Sequence, residues 1–139
     1  MLIHGGCHCG NIRFALTWTP APVHIPARAC GCSFCVKHGG VWSSCAGGAL
    51  RVTVRDAGLV QRYAFGTRTA DFHICRACGV VPLVTSDIAG QRYAVVNVNA
   101  FEDFDRSLLR PLPASFEGEH EAQRLERRQR HWIADVRFD

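Results

Sequence analysis

The segment 11–19 alternates strictly between apolar positions and polar or small ones. Ile12, Phe14 and Leu16 fall on one side of an extended chain, and the residues between them are polar or small. Because successive side chains of a strand point to opposite faces of its sheet, this alternation predicts a half-buried β-strand. Pro20 ends the strand, since proline has no N–H to donate to a sheet ladder.

Short runs rich in β-branched and aromatic residues recur beyond this point, separated by glycine, proline and cysteine. They predict further strands at 23–29, 41–45, 49–55, 59–65, 80–85 and 92–98. Gly47-Gly48 and the run 56–58 are typical of turns between strands. The pattern as a whole therefore predicts a mainly β fold.

The last quarter of the chain has a different pattern. Segment 106–113 predicts an extended loop, and segment 119–131 predicts the one long helix. Ala122, Leu125, Trp132 and Ile133 can share the face that we expect to pack on the sheet, and the charged face is expected to be solvated. Glutamates precede arginines along this helix, which complements the helix dipole. A partner-binding helix is the alternative interpretation.

Composition and charge limit the possible classes of protein. The chain has 139 residues, 47% apolar and 20% charged, which is typical of one globular domain. Its formal charge of +4 counts every cysteine as neutral, so it is weak evidence for a nucleic-acid partner. Neither a signal-peptide pattern nor a membrane-length apolar run occurs. The sequence thus predicts a cytoplasmic protein, without membrane or nucleic-acid partners, whose thiols stay reduced.

Eight cysteines in such a chain need an explanation other than disulfides. Seven of them fall in three short segments, at 7–9, 30–35 and 75–78, and Cys45 stands alone. A C-x2-C pair followed by glycine, as in Cys75, Cys78 and Gly79, allows a tight turn that aims two sulfurs at one ion. Spacing divides the seven into a closed group of four and a group of three: Cys7, Cys9, Cys75 and Cys78; and Cys30, Cys32 and Cys35.

The two groups predict two different zinc sites. Four thiolates complete a tetrahedral shell, which is typical of a structural zinc whose binding energy is folding energy. Three protein ligands leave a fourth position open, as catalytic zinc sites do. Alternatives are disulfides, a Cys32–Cys35 redox pair, an iron–sulfur cluster, and closure of the second site by His38. At the level of function, a non-catalytic zinc-stapled binding module and a thiol-based metal or redox sensor are also open.

Three motifs together resemble those of the GFA family, named for glutathione-dependent formaldehyde-activating enzyme and grouped with centromere protein V. They lie at 5–14, 30–40 and 73–79 and read GGCHCGNIRF, CGCSFCVKHGG and HICRACG. The resemblance covers residues 3–105 as a zinc-binding domain. Residues 106–139 then form a C-terminal extension, with the helix, packed on the same domain.

This resemblance implies a tent-like fold of antiparallel β-sheets stapled by zinc, with the same division of the cysteines. It also implies a zinc-dependent carbon–sulfur lyase that converts S-(hydroxymethyl)glutathione to glutathione and formaldehyde, or the reverse, or acts on a related small-molecule thiol–aldehyde adduct. His38 is the expected proton shuttle, because the unperturbed pKa of a histidine side chain is near neutrality. Lys37, Arg68 and Arg76 are expected to contact the two carboxylates of glutathione.

Overall fold

Two β-sheets built from twelve strands form the body of the molecule. The structure is a computed structural model that describes residues 1–139. Along the chain the elements are β1 (Leu2–Gly6), β2 (Ile12–Thr17), β3 (Ile25–Cys30), α1 (Ser33–His38), β4 (Val41–Ser43), β5 (Ala49–Val54), β6 (Val60–Tyr63), β7 (Asp71–Cys75), β8 (Leu83–Ile88), β9 (Gln91–Asn97), β10 (Phe101–Glu102), β11 (Leu109–Ala114), α2 (Glu121–His131) and β12 (Asp135–Phe138).

The two sheets differ in size, and in both of them most neighbouring strands are antiparallel. The smaller sheet has the strand order β10-β1-β2-β5-β12, and the larger has the order β11-β3-β4-β9-β8-β7-β6. Neighbouring strands are antiparallel except in two pairs, β11 with β3 and β12 with β5. Both parallel pairs bring in a strand from the last quarter of the chain. The mainly β prediction is confirmed.

The core lies where the inner faces of the two sheets meet. Ile12, Phe14 and Leu16 of β2 are at most 3% exposed, which confirms the alternation seen in the sequence. They pack in one cluster with Leu50 of β5 and Leu83 of β8. Fully burying a side chain of this size contributes about 1.5–3 kcal/mol relative to leaving it exposed. Because β8 belongs to the other sheet, this cluster joins the two sheets.

The last quarter of the chain corrects two predictions. The loop expected at 106–113 contains the strand β11, an edge strand of the larger sheet whose Pro111 and Pro113 suit an edge position. Ala122 is exposed, and the residue that α2 buries is Arg128, which is 7% exposed. Leu125 packs against the core as predicted, and Trp132 and Ile133 just beyond the helix are buried, so only the Ala122 position of the expected face is wrong. No helix in the molecule has the length and apolar character to cross a membrane.

A short helix that the sequence did not predict carries the middle cysteine motif. The Sγ atom of Cys32 accepts a hydrogen bond from the backbone N–H of Cys35 at 3.4 Å, at the start of α1. Gly39 ends the helix with a φ of 74°, a left-handed conformation that favours glycine. Cys30 at the end of β3 and Cys35 in α1 are thereby folded towards each other.

Candidate metal centres and the adjoining pocket

Four cysteines from two distant parts of the chain meet where the two sheets adjoin. Their Sγ atoms all lie within 4.8 Å of one another, and they belong to Cys7, Cys9, Cys75 and Cys78. Cys7 and Cys9 follow β1 of the smaller sheet, whereas Cys75 ends β7 of the larger one. A metal ion held here would link the two sheets.

Local backbone turns aim these sulfurs inward. The N–H of Ile12 donates a hydrogen bond to Cys7 Sγ at 3.2 Å. On the other side, the N–H of Gly79 donates to the carbonyl oxygen of Cys75 at 2.8 Å. Gly79 has a φ of 81°, so it supplies the left-handed conformation that this turn needs. The backbone thus has the tight turn at Gly79 that the sequence predicts.

The spacing of the sulfurs fits a tetrahedral ion. Four sulfurs about 2.3 Å from a central zinc would lie about 3.8 Å apart. Cys7 and Cys9 have their Sγ atoms 3.8 Å apart, and Cys9 and Cys75 have theirs 3.6 Å apart. All eight cysteines are free thiols. Soft sulfur donors at these distances suit zinc, so these four cysteines, called the first cluster below, fit that ion.

The second cluster contains three sulfurs. The Sγ atoms of Cys30, Cys32 and Cys35 also lie within 4.8 Å of one another, and no histidine, aspartate or glutamate joins the group at that distance. The buried indole Nε1–H of Trp42 donates a hydrogen bond to Cys35 Sγ at 3.3 Å. Such a hydrogen bond orients a ligating atom and stabilises negative charge on it. His38 is not part of this group.

Both clusters place thiols so that some give up their protons readily. The hydrogen bond from the Cys35 thiol lowers the pKa of Cys30 to about 5, and the same bond, together with burial, raises the pKa of Cys35. In the first cluster burial raises the pKa of Cys7 to about 11. Burial also opposes ionisation of Cys78, but backbone hydrogen bonds from Val80 and Cys9 outweigh it and bring that pKa to about 6. Each cluster thus stabilises a thiolate, the form that binds metal.

A pocket of about 210 Å³ opens beside the second cluster. All three cysteines of that cluster line it. Its apolar wall is made of aromatic side chains: Trp42, Phe65, Phe72, Phe116 and Trp132. Its charged residues are four arginines and one glutamate: Arg28, Arg124, Arg127, Arg128 and Glu117. The pocket therefore combines soft sulfur donors, an apolar wall and a surplus of positive charge.

The predicted proton shuttle and carboxylate contacts lie elsewhere. Lys37, Arg68 and Arg76 are exposed and do not line the pocket, and Arg76 reaches the carbonyl oxygen of Gly58 at 3.4 Å. His38 does not line it either. Its ring packs on that of Phe34 with centroids 4.4 Å apart, and burial lowers its pKa.

Sequence reasoning missed the arginines that do line the pocket. Three of them lie on α2, at the i, i+3 and i+4 positions Arg124, Arg127 and Arg128, and so share one helix face. This spacing could have indicated from the sequence that the three arginines face one site. The general rule that charged side chains on a helix are mostly solvated favoured the opposite prediction.

Comparison with known proteins places the chain in a family. The sequence model described as glutathione-dependent formaldehyde-activating enzyme matches residues 2–118. The chain belongs to this family, abbreviated GFA. A crystal structure of a Rhodobacter sphaeroides protein, a structural genomics target, is 31% identical in sequence. It covers 80% of this chain and 99% of its own, with a TM-score of 0.61. The resemblance drawn from the three motifs is confirmed.

Proposed function

We propose that this protein is a zinc-dependent carbon–sulfur lyase that acts on the adduct of glutathione with formaldehyde, or on a related thiol–aldehyde adduct. The observation that carries the proposal is the second cluster. Three thiols converge at the wall of a pocket, and no fourth protein ligand joins them. In a non-catalytic binding module, protein ligands would fill every coordination position of the zinc, and no pocket would be needed beside it. Membership of the GFA family supports the same class of reaction.

The proposal assigns one ion to each cluster. Cys7, Cys9, Cys75 and Cys78 would hold a structural zinc, and Cys30, Cys32 and Cys35 would hold the second zinc. When bound, the second zinc would supply Lewis acidity, which lowers the pKa of a thiol and polarises an aldehyde oxygen. Trp42 would keep the Cys35 sulfur oriented for it through the N–H···S hydrogen bond. The aromatic wall would limit the access of water to the adduct.

The proposed step moves one proton and breaks one bond. In S-(hydroxymethyl)glutathione the carbon–sulfur bond breaks, its electron pair goes to sulfur, and the hydroxyl proton leaves as the carbonyl forms. A protein group must accept that proton and pass it to sulfur. Sequence points to His38, but the carboxylate that lines the pocket is that of Glu117. By position we favour Glu117 for this role and keep His38 as the second candidate.

Residues 3–105 and 106–139 would act as one domain, because β11 and β12 add strands to both sheets and residues 114–117 line the pocket. The partner would be a small thiol or its aldehyde adduct, and not nucleic acid. The compartment would be the cytoplasm, where glutathione and free thiols persist.

The test measures exchange between free and adduct-bound formaldehyde. Carbon-13 formaldehyde and glutathione are mixed with the zinc-loaded protein, and exchange NMR gives the rate of adduct breakdown. The wild-type protein should accelerate exchange, and Cys32→Ser should not. Cys45→Ser is the matched control, since Cys45 lies outside both clusters and its thiol only donates to the Thr19 carbonyl. No acceleration by the wild type, or equal acceleration by Cys32→Ser, would contradict the proposal.

A further inference from the structure

Two arginines in the pocket wall carry positive charge without a carboxylate partner. Arg28 donates to Ser44 Oγ at 2.9 Å, and Arg128 donates to Ser86 Oγ at 3.1 Å and to Thr69 Oγ1 at 2.9 Å. Neither forms a salt bridge, whereas Arg124 and Arg127 both pair with Glu119. Buried charges are normally paired, because leaving them unpaired in a protein interior costs free energy.

Arg128 is the more informative of the two. Its side chain lies over the Trp132 ring, and the residue is only 7% exposed. Its Nε–H is buried and has no hydrogen-bond partner within the protein. Burial, with the nearby charges of Arg127 and Arg124, lowers the pKa of Arg128 to about 10, although Glu119 opposes this shift. The guanidinium is thus protonated at neutral pH and held at a cost that an anion would relieve.

These arginines lie in the same pocket as the three-cysteine cluster. Ser44 Oγ, which accepts from Arg28, itself donates to the carbonyl oxygen of His131 at 2.9 Å, so Arg28 is tied to the end of α2. The only carboxylate of the wall, Glu117, is exposed and makes no salt bridge. The positive charge is therefore fixed in position by neutral partners and is left free for a ligand.

We infer that this pocket binds a thiol that carries a carboxylate, with Arg28 and Arg128 as the carboxylate site. This deepens the proposed function and rests on it for the sulfur end of the ligand. It moves carboxylate recognition from Lys37, Arg68 and Arg76 to residues inside the pocket. Because α2 supplies Arg128 and lies beyond residues 2–118 that match the family, this part of the specificity belongs to the C-terminal segment of the chain.

The test compares acids with their neutral counterparts on the zinc-loaded full-length protein. Calorimetry measures binding of 3-mercaptopropionate against 3-mercaptopropionamide, and of glutathione against glutathione diethyl ester. We expect at least one acid to bind about 10- to 100-fold more tightly than its neutral partner, the range for a lost charge-assisted contact. Which acid shows the preference identifies a short mercaptocarboxylate or the tripeptide as the ligand.

Variants then assign the effect to residues. Arg28→Gln and Arg128→Gln should each remove most of the preference for the acid and leave binding of the neutral thiol unchanged. Arg130→Gln is the matched control on the same helix, because Arg130 is exposed and pairs only with Glu126. The inference is overturned if no acid is preferred by the wild type, or if neither variant reduces that preference. If the wild-type protein prefers the acid but does not accelerate formaldehyde exchange, the result would contradict the proposed lyase activity and leave the carboxylate site supported.

Discussion

The Nε1 atom of Trp42 lies 3.3 Å from Sγ of Cys35, and both residues are buried. Trp42 belongs to β4, next to the strand that ends in Cys30, so sheet pairing fixes the indole against the second cluster. The contact joins the hydrophobic core to the candidate metal site. Its removal should affect the second site and not the first.

Trp42→Phe tests this relationship. Phenylalanine keeps most of the aromatic packing and removes the N–H donor, so the fold should persist. We expect the second zinc to bind about 10- to 100-fold more weakly, as is common when a hydrogen bond to a metal ligand is lost. Competition with a chromogenic chelator measures this. Trp132→Phe is the control, because Trp132 lines the pocket and makes no hydrogen bond to a cysteine sulfur. Equal loss in both variants would argue against a specific role for the hydrogen bond.

Loss of the first cluster should cost stability. Cys75→Ser removes one sulfur from the group that joins the two sheets. With zinc at a thousand times its Kd, losing that site would lower the free energy of unfolding by about 4 kcal/mol. Chemical denaturation and metal analysis measure both changes. Cys32→Ser, by comparison, should lose the other zinc at a smaller cost in stability, because an ion held by three protein ligands binds more weakly than one held by four. If both variants unfold alike, the division into a structural and a catalytic site is wrong.

The proton-transfer role is tested by a pair of variants. Glu117→Gln should slow adduct breakdown by about 10²- to 10⁴-fold at saturating substrate, the usual loss when a general acid–base is removed. His38→Gln should change the rate far less, because His38 does not line the pocket. Single-turnover kinetics on the zinc-loaded proteins give both rates. A larger effect at His38 would return the role to the residue that the sequence indicated.

Glu119 should anchor α2 and the arginine wall. Its carboxylate pairs with Arg127 at 3.0 Å and with Arg124 at 3.3 Å, and all three side chains are partly buried. Glu119→Gln should therefore lower the free energy of unfolding by about 1.5–3 kcal/mol at neutral pH. The exposed pair of Glu126 with Arg130 provides the control, and Glu126→Gln should cost less than about 1 kcal/mol.

The pH dependence of that difference has a definite sign. The hydrogen bond from Arg127 is the main cause that lowers the pKa of Glu119 below its usual value. A lowered carboxyl pKa stabilises the fold above the unfolded-state value of about 4.3, and this contribution is lost as the pH falls through the folded-state value. The gap in stability between wild type and Glu119→Gln should thus be constant from pH 7 to about 5 and then shrink. A gap that widens on acidification would contradict the ion-pair account.

Much of the β framework follows from the sequence, because burial of one face imposes a period of two. Segment 11–19 is the clearest case, and β2 has its apolar residues where the alternation predicts. β7 was missed because its buried positions include His73 and Cys75, which do not give an alternating apolar pattern. β11 was missed because two prolines disguise a strand that lies at a sheet edge.

The candidate site was predictable only in part, for a physical reason. Cysteine spacing reflects local turns, so the two groups of sulfurs could be inferred from the sequence and are close together in space. The pocket depends on where α2 and residues 114–117 pack, which no local pattern encodes. Arg128 contacts Trp132, four residues further on, and also Thr69 and Ser86, which are distant along the chain. Lys37 and Arg76 are close to the cysteines in sequence, but they do not line the pocket beside the second cluster.

The most direct test of the two-site account is cadmium-113 NMR of the cadmium-substituted protein. We expect two signals of equal intensity. The one from Cys7, Cys9, Cys75 and Cys78 should stay fixed when a thiol is added, and the one from Cys30, Cys32 and Cys35 should move as the thiol sulfur binds. A single signal, or a second signal that no thiol shifts, would contradict an accessible three-cysteine metal site.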